Sequence, residues 1–377
     1  MIKFIFWFSV IMIFYTYIGY PILITMFAKF RKKKKLSKLS EYPTVSIIIS
    51  VFDEEDVIKR KIENCLTIDY PNEKLEILVG SDGSTDKTND IIRSYSNKKI
   101  RGLINKRRHG KPYTINKLVS ASKGEILFFT DARQIIEKCA LKKLVRNFRD
   151  EKVGCVSGEL VYRKTQSITG RGIGTYWEYE KYLREMESKI YSMIGATGAI
   201  YACRKNLFEP LPENTILDDV YIPLAVVGKG YRAIFDREAK AYDIFAIIPH
   251  DEHRRKIRTL SGNYQIFFQM PYMLNPFKSK LAIQIISHKL LRVLVPFFMV
   301  ILFLINLLLL TEKSYNIFFI AQIAFYMTAL AEALFRKRIK KTFGIPYLFC
   351  LLNFSALVGL WEFMRNGADV KWEKARS

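Results

Sequence analysis

Four stretches of the chain, residues 4–30, 293–310, 315–335 and 344–363, are almost wholly apolar and aromatic. Each is long enough to cross a hydrocarbon core of roughly 30 Å as a helix. Between the first and second lies a long polar block with a different rhythm. Val45 to Val51 is a near-continuous β-branched run, the pattern of a strand covered on both faces. After it, Val57, Ile58, Ile62 and Leu66 recur on one helical stripe. The alternation continues, with strands expected at 75–80, 100–105 and 125–130 and helices at 86–96, 112–122 and 136–149. Strand-helix alternation predicts right-handed crossovers and a mostly parallel, Rossmann-like sheet, so the fold class is α/β. Beyond Val153 the rhythm changes to a strand at 156–162, a helix at 176–193 and a strand at 199–203, which reads as an appended mixed subdomain. Residues 280–292 form a short amphipathic pattern. Ala282, Ile283, Ile286 and Leu290 lie on one side, with Lys280, Gln284 and His288 on the other, as in helices that lie in the membrane interface. The chain therefore divides into an amino-terminal transmembrane helix with a basic linker (1–40), an α/β domain (41–278), and an interfacial helix followed by about three transmembrane helices (279–377).

Charge changes this picture by giving it a direction. The first apolar stretch ends in Arg31-Lys32-Lys33-Lys34-Lys35, against Lys3 alone on its other flank. It is too long for a signal peptide and has no convincing small-residue cleavage site, so an uncleaved span is expected. The positive-inside rule then puts the α/β domain in the cytosol, and Arg336 to Lys341, between the last two spans, agrees. The net charge of +24 comes largely from such flanks, where it holds anionic headgroups. With no zinc-ligand spacing and no aromatic RNA-binding signature, the excess does not indicate nucleic acid. The five cysteines include no C-x-x-C pair and sit among apolar neighbours, as free thiols in a reducing compartment do.

Three segments carry candidate chemistry. Ile126 to Phe129 delivers Asp131 at the carboxyl end of a strand, where open α/β sheets form their ligand crevice. Leu75 to Gly80 does the same with Ser81-Asp82-Gly83-Ser84-Thr85-Asp86, in which Gly83 permits a tight turn and Asp82 can accept from the N3–H of uracil. Asp218 and Asp219 precede an apolar helical run; acids at that position are also what a helix dipole favours.

Together these segments resemble glycosyltransferase family 2, inverting enzymes with the GT-A nucleotide-sugar fold, over about residues 43–265. The family's V-S-I-I-I-P-A-Y-N-E-E appears with Ser50, Val51, Phe52 and Asp53 at its middle positions, followed by Glu54 and Glu55. Its D-D-G-S-x-D appears as Ser81 to Asp86, and its G-K-x-x-A-L-N as Gly110-Lys111-Pro112-Tyr113-Thr114-Ile115-Asn116. Thr130-Asp131-Ala132-Arg133 occupies the place of the metal-binding D-x-D, with Arg133 at the second acid. The resemblance implies a nucleotide-sugar site, with a UDP-sugar the expected donor, formed by Val51, Asp53, Glu54, Asp82, Lys111, Asp131, Arg255 and Arg258. It implies a divalent cation, Mg²⁺ or Mn²⁺, on Asp131, with Arg133 an alternative source of positive charge. Asp219 takes the place of the family's general base, beside Asp218. Gly195 to Ala199 resembles the acceptor-side turn, which points to Thr197, Gly198 and, further on, Gln265 for the acceptor. Processive members carry Q-x-x-R-W where this chain has Arg255, Arg258 and Thr259. His250 and His253 stand nearby as further polar candidates.

The function implied is transfer of a sugar to a glycan or lipid-linked acceptor at the cytosolic face of the plasma membrane, in cell-surface polysaccharide synthesis. Three other readings remain open at this point: a processive synthase, a polyprenyl-phosphate glycosyltransferase, and a non-catalytic membrane partner of a polysaccharide assembly complex.

Overall fold

The computed structural model describes residues 1–31, 41–95, 99–163, 168–244, 249–335 and 344–366; within them the side chains of 163, 168–173, 175, 244 and 249–255 are left out of the description. Its centre is an eight-stranded sheet. The strands are β1 (Val45–Val51), β2 (Leu75–Ser81), β3 (Ile100–Ile104), β4 (Ile126–Phe129), β5 (Ile135–Ile136), β6 (Val153–Arg163), β7 (Tyr201–Arg204) and β8 (Arg232–Ile244). They run in the order β3-β2-β1-β4-β7-β6-β8-β5. The first four are parallel, β7 is antiparallel to both β4 and β6, and β6 pairs parallel with β8. The chain steps outward from β1 to β3 and then returns to lay β4 on the other side of β1. That reversal opens a crevice between the carboxyl ends of β1 and β4.

The apolar run of β1 explains why it is central. Val45, Ile47, Ile49 and Val51 enter one core with Ile58 and Ile62 of helix Glu55–Leu66. Ile48 enters a second core on the opposite face, with Ile115 and Leu118 of helix Lys111–Ala121. A strand with both faces covered has no wet side, and of its two serines, which share the face of Ile48, Ser46 is fully buried and bonded to Glu76.

Four helices are long and apolar enough to span a membrane: Ile2–Lys29, Ala282–Leu308, Lys313–Phe335 and Ile345–Arg365. The first packs Phe6 edge-on against Tyr315, at 4.9 Å between ring centroids. Two local expectations change. Residues 136–149 are not one helix, because Ile135 and Ile136 pair antiparallel with Tyr242 and Ala241, and the helix begins only at Ala140. Residues 282–290 continue into the following span as one helix with a π-turn at Ile286–Leu290. Gln284 and His288, on the polar side of the sequence pattern, are buried, while Ile283 is 67% exposed.

Candidate active site

The strand ends are tied to one another before any ligand is considered. Asp53, just past β1, holds a left-handed backbone (φ 50°) that a short polar side chain tolerates by bonding locally. Its amide donates to Ser84 Oγ at 3.0 Å, and its Oδ1 accepts from the Thr85 amide at 2.7 Å. The amides of Glu54 and Glu55 donate to Thr88 Oγ1 (2.9 Å) and Asp86 Oδ2 (3.1 Å). The acidic turn after β1 is thus fastened to the Ser84–Thr88 turn after β2. Glu54 is buried and faces the Arg133 guanidinium at 3.7 Å. Arg108 stacks over Phe52 at 3.9 Å. Val51 itself points into the core, and only its carbonyl serves the crevice, accepting from the Asp82 amide.

Asp82 is turned inward, which corrects its assignment as a direct contact to a base. Oδ2 accepts from the Gly110 amide at 2.7 Å. Oδ1 accepts from the His109 amide (3.0 Å), Thr114 Oγ1 (3.1 Å) and, more distantly, Asn105 Nδ2 (3.5 Å). A carboxylate has about four lone-pair sites, so little is left for a ligand. Asp82 is a positioning residue that fixes segment 105–110. Gly83 completes the arrangement: at φ 74° any Cβ would lie 2.6 Å from the Arg107 carbonyl carbon.

The chemical centre lies one strand over. Gly110 ends the fixed segment and Lys111 opens the next helix, so its side chain reaches into the crevice. Lys111 Nζ sits 3.0 Å from Asp131 Oδ1 and 3.1 Å from Asp218 Oδ1. Burial alone would lower the lysine's pKa, but the charges of Asp131, Asp218 and Asp219 overcome it and hold the ammonium well above its ordinary value. Burial likewise opposes ionisation of Asp131, and Lys111, Lys61 and Arg258 outweigh it, holding that carboxyl below the usual range. Asp219 goes the other way. Burial and then the neighbouring Asp218 push it up to about 6, against the pull of Lys111. One acid is kept ionised while its neighbour is poised to take a proton, the division that acid-base chemistry at neutral pH needs.

Gly198 lies between the two. Its amide donates to Asp219 Oδ2 at 3.0 Å, and a Cβ there would stand 3.1 Å from Asp131 Oδ2 and 3.5 Å from Asp219 Oδ2. The absent side chain keeps the space between the carboxylates open. Arg258, on helix Pro249–Gln269, is charge-coupled to Asp218, Asp219 and Asp131, while burial lowers its pKa. Ile48, Ser50, Ile115, Phe129, Thr130 and Tyr201 complete the walls.

Asp131 Oδ1 is engaged by Lys111, and no described residue hydrogen-bonds Oδ2, which faces the crevice on a side chain 40% exposed. One hard oxygen of this kind suits Mg²⁺ or Mn²⁺, which would supply positive charge to a bound diphosphate. The donor set fits a cation held by one protein carboxylate. Among the described residues no group of three or more potential ligands gathers to hold a metal by itself.

The remaining assignments divide. Thr197 is buried, and its amide donates to Ser157 Oγ. Gln265 is also buried and both ends of its amide are engaged: Oε1 accepts from the Ile216 amide (2.9 Å) and Nε2 donates to the Asn214 carbonyl (2.6 Å). It shapes the approach to Asp218 and Asp219 instead of facing an acceptor, a second correction. The side chains of Arg255, His250 and His253 lie outside the description. Two contributors were missed. Lys61 is fully buried behind Asp131, donating to Thr130 Oγ1 (2.7 Å) and the Gln134 carbonyl (2.9 Å). Its signal was a lysine on the otherwise apolar stripe of Ile58, Ile62 and Cys65. Tyr201 stacks on Phe129 at 4.7 Å and directs its hydroxyl at Asp218 Oδ2, 3.5 Å away.

Comparison with known proteins agrees with this geometry. Residues 46–211 match the profile described as Glycosyl transferase family 2. A probable glycosyltransferase, YdaM, of Bacillus subtilis is 28% identical over 208 residues, which is 52% of this chain and 50% of that protein. A beta-monoglucosyldiacylglycerol synthase of a Nostoc species is 32% identical over 145 residues, 37% of this chain and 31% of its own length. A poly-beta-1,6-N-acetyl-D-glucosamine synthase of Staphylococcus aureus is 28% identical over 143 residues, 37% of this chain and 34% of its own. The chain thus matches half or less of the length of these curated relatives. The mannosyltransferase PcManGT of Pyrobaculum calidifontis, solved with GDP-Man and Mn²⁺, superposes with a TM-score of 0.75 at 20% identity, covering 97% of this chain and 100% of that one, which establishes the GT-A fold. The strand ends, their acids and the profile match over residues 46–211 agree that this part of the chain is similar to glycosyl transferase family 2.

Proposed function

We propose that this protein is a membrane-bound inverting glycosyltransferase. It takes a sugar from a nucleotide-sugar donor, UDP-linked in our reading, and passes it to a glycan or lipid-linked acceptor. The work is done at the cytosolic face of the plasma membrane, in synthesis of a cell-surface polysaccharide. The single observation that carries this is the pairing of Asp219, pushed up to about 6, with the ionised Asp131 across the gap left by Gly198. The two relatives named for glucosyldiacylglycerol and poly-N-acetylglucosamine synthesis support a lipid or glycan acceptor.

In this reading Asp219 accepts the proton of the acceptor hydroxyl as its oxygen attacks the anomeric carbon. The new C–O bond forms opposite the departing nucleoside diphosphate, whose C–O bond breaks with its electron pair. Lys111 and Arg258 face the charge that grows on the diphosphate, and preorganised charge of this kind is commonly the largest catalytic contribution. Asp131 would hold a divalent cation through Oδ2, which would supply further positive charge to the same oxygens. Asp53 and Glu54 shape the base end, and Asp82 fixes its floor.

The test is nucleoside diphosphate release by purified protein given UDP-glucose, UDP-N-acetylglucosamine or UDP-galactose. Asp219→Asn should lower turnover about 10²-fold or more with UDP affinity unchanged, the scale expected for loss of a general base. Wild-type turnover in that variant would remove Asp219 from the role.

A further inference from the structure

Away from the catalytic crevice, buried charge gathers where helix Ile168–Ile190 meets the first two membrane helices. Glu180, Arg184 and Glu187 recur at spacings of four and three, so they share one stripe of that helix. His288, Lys289 and Arg292 come from the first turns of the 282–308 span. The two carboxylates are already engaged. Glu187, 1% exposed, accepts from Tyr20 Oη at 2.9 Å and meets His288 Nδ1 at 2.6 Å. Glu180 meets His288 Nε2 at 3.3 Å and is ion-paired with Arg292, whose guanidinium also lies over the rings of Tyr17 and Tyr179.

Arg184 and Lys289 are what this pairing leaves over. Among the described residues neither makes a hydrogen bond or an ion pair, and the Arg184 guanidinium has only the face of Phe235, 6.0 Å away. The two cations are charge-coupled to each other and to Glu180 and Glu187, and Arg184 is also coupled to Asp219. Three fixed cations here face two carboxylates that are both engaged. Half-buried like charges held together without a counter-ion are unfavourable unless an anion completes the set. The backbone is irregular at this point as well. The π-turn Ile286–Leu290 contains Lys289, a second π-turn at Tyr15–Gly19 faces it, and Tyr15 Oη bonds Ser287 Oγ at 2.8 Å. Single π-turns inside helices are frequent at functional sites.

We infer that Arg184 and Lys289 seat the phosphate or diphosphate of a lipid-linked acceptor, with the sugar hydroxyl beyond that phosphate reaching Asp219. Basic clusters between membrane helices take phosphorylated headgroups, and this one lies where the domain helix carrying Arg184, itself charge-coupled to Asp219, meets the apolar helices. The assignment rests on the transferase reading above and names its acceptor class. The acceptor would enter along the apolar helices with its headgroup anchored by the two cations. Asp219 would meet only the hydroxyl that such a seat presents.

The experiment uses full-length protein in phosphatidylcholine nanodiscs, with farnesyl diphosphate, farnesol and inorganic pyrophosphate as probes. Farnesyl diphosphate should bind at least tenfold more tightly than either of the others. Arg184→Gln and Lys289→Gln should each weaken it about tenfold, the scale of one charge-assisted hydrogen bond. Arg184→Lys and Lys289→Arg, which keep the charge, should restore it to within about threefold. Wild-type affinity in both glutamine variants overturns the seat, and so does failure of both charge-retaining variants. Pyrophosphate binding as tightly as farnesyl diphosphate overturns the lipid source in favour of a soluble phosphate. UDP affinity on the same samples reports on the donor side separately. A wild-type protein that binds farnesyl diphosphate but not UDP refutes the transferase reading and leaves the seat standing.

Discussion

Asp218→Asn isolates the electrostatics that poise the proposed base. Asp219 rises from an ordinary 3.8 to about 6. That is roughly two units, or about 3 kcal/mol of preference for the protonated form. Burial is the largest cause, Asp218 the second, and Lys111 opposes both. The asparagine keeps the shape beside Tyr201 and removes one negative neighbour. It also frees Lys111 Nζ from the contact at 3.1 Å while the one to Asp131 at 3.0 Å remains. Both changes favour ionised Asp219, so its pKa falls, by about one unit given that burial persists. A base works when deprotonated, so activity rises as pH climbs through its pKa, and a lower pKa moves that rise to more acid pH. The acid limb of kcat/KM against pH, measured by nucleoside diphosphate release between pH 4.5 and 8, should therefore shift down by about one unit. A limb that stays in place or moves to higher pH would refute the assignment of Asp219, or of Asp218 as the neighbour that tunes it.

Further outcomes follow from the same geometry. Gly198→Ala puts a methyl 3.1 Å from Asp131 Oδ2 and should cut turnover at least tenfold with little change in melting temperature, as small misplacements at a reacting centre do. Lys61→Met strands two buried acceptors, Thr130 Oγ1 and the Gln134 carbonyl, and should cost about 1–3 kcal/mol in denaturant unfolding. UDP affinity should depend on Mg²⁺ or Mn²⁺ in the wild type and lose that dependence in Asp131→Ala; calorimetry giving equal affinity with metal and with chelator would point to Arg133 instead. Cysteines placed at Ser314 and Lys340 in intact cells should label from outside at the first and not at the second, because short basic loops resist translocation.

Much of this was legible in the chain because the signals were local. A β-branched run such as Val45–Val51 declares a doubly covered strand, and a carboxylate two residues past Phe129 declares a crevice acid. What failed was a matter of direction and of distant partners. Asp82 lies in the right turn but faces inward, since the amides of His109 and Gly110 reach its oxygens from a segment more than twenty residues away. Gln265 reads as an exposed helical amide until the loop at Asn214–Ile216 closes over it. Residues 136–149 look helical until β8 captures Ile135 and Ile136 as an edge strand. His288 and Gln284 look like the wet side of an amphipathic helix because their partners, Glu187 and the Ser192 carbonyl, come from the domain. In each case a tertiary contact overrides a correct local pattern.

The helix Pro249–Gln269 explains how a catalytic crevice and a membrane assembly come to be one object. Toward the crevice it presents Arg258 and Gln265, the one facing the acids and the other fixing the loop that carries them. Its Gly262 lets Leu217 approach to within 2.5 Å of where a Cβ would stand, so the loop and the helix cannot separate without losing that packing. On its other side Tyr264, 7% exposed, donates its hydroxyl toward the carbonyls of both Val293 and Ala356, from two different apolar helices. Gly359 of the last helix packs against the Ile257 carbonyl and Leu260, and Phe363 stacks on Phe268. An apolar helix held this closely along a domain helix shares its depth with that domain. With the domain in the cytosol, as proposed, a full crossing by residues 345–365 would leave the carboxyl terminus outside, whereas a helix lying against the domain would return it to the cytosol. The packing favours the second arrangement, which also relieves the conflict between an external tail and its own positive charge at Lys371, Lys374 and Arg376. A single cysteine at Ser377 should then stay unlabelled from outside intact cells. Labelling there would show that the last helix crosses, and that its contacts with Tyr264 and Phe268 form within the bilayer.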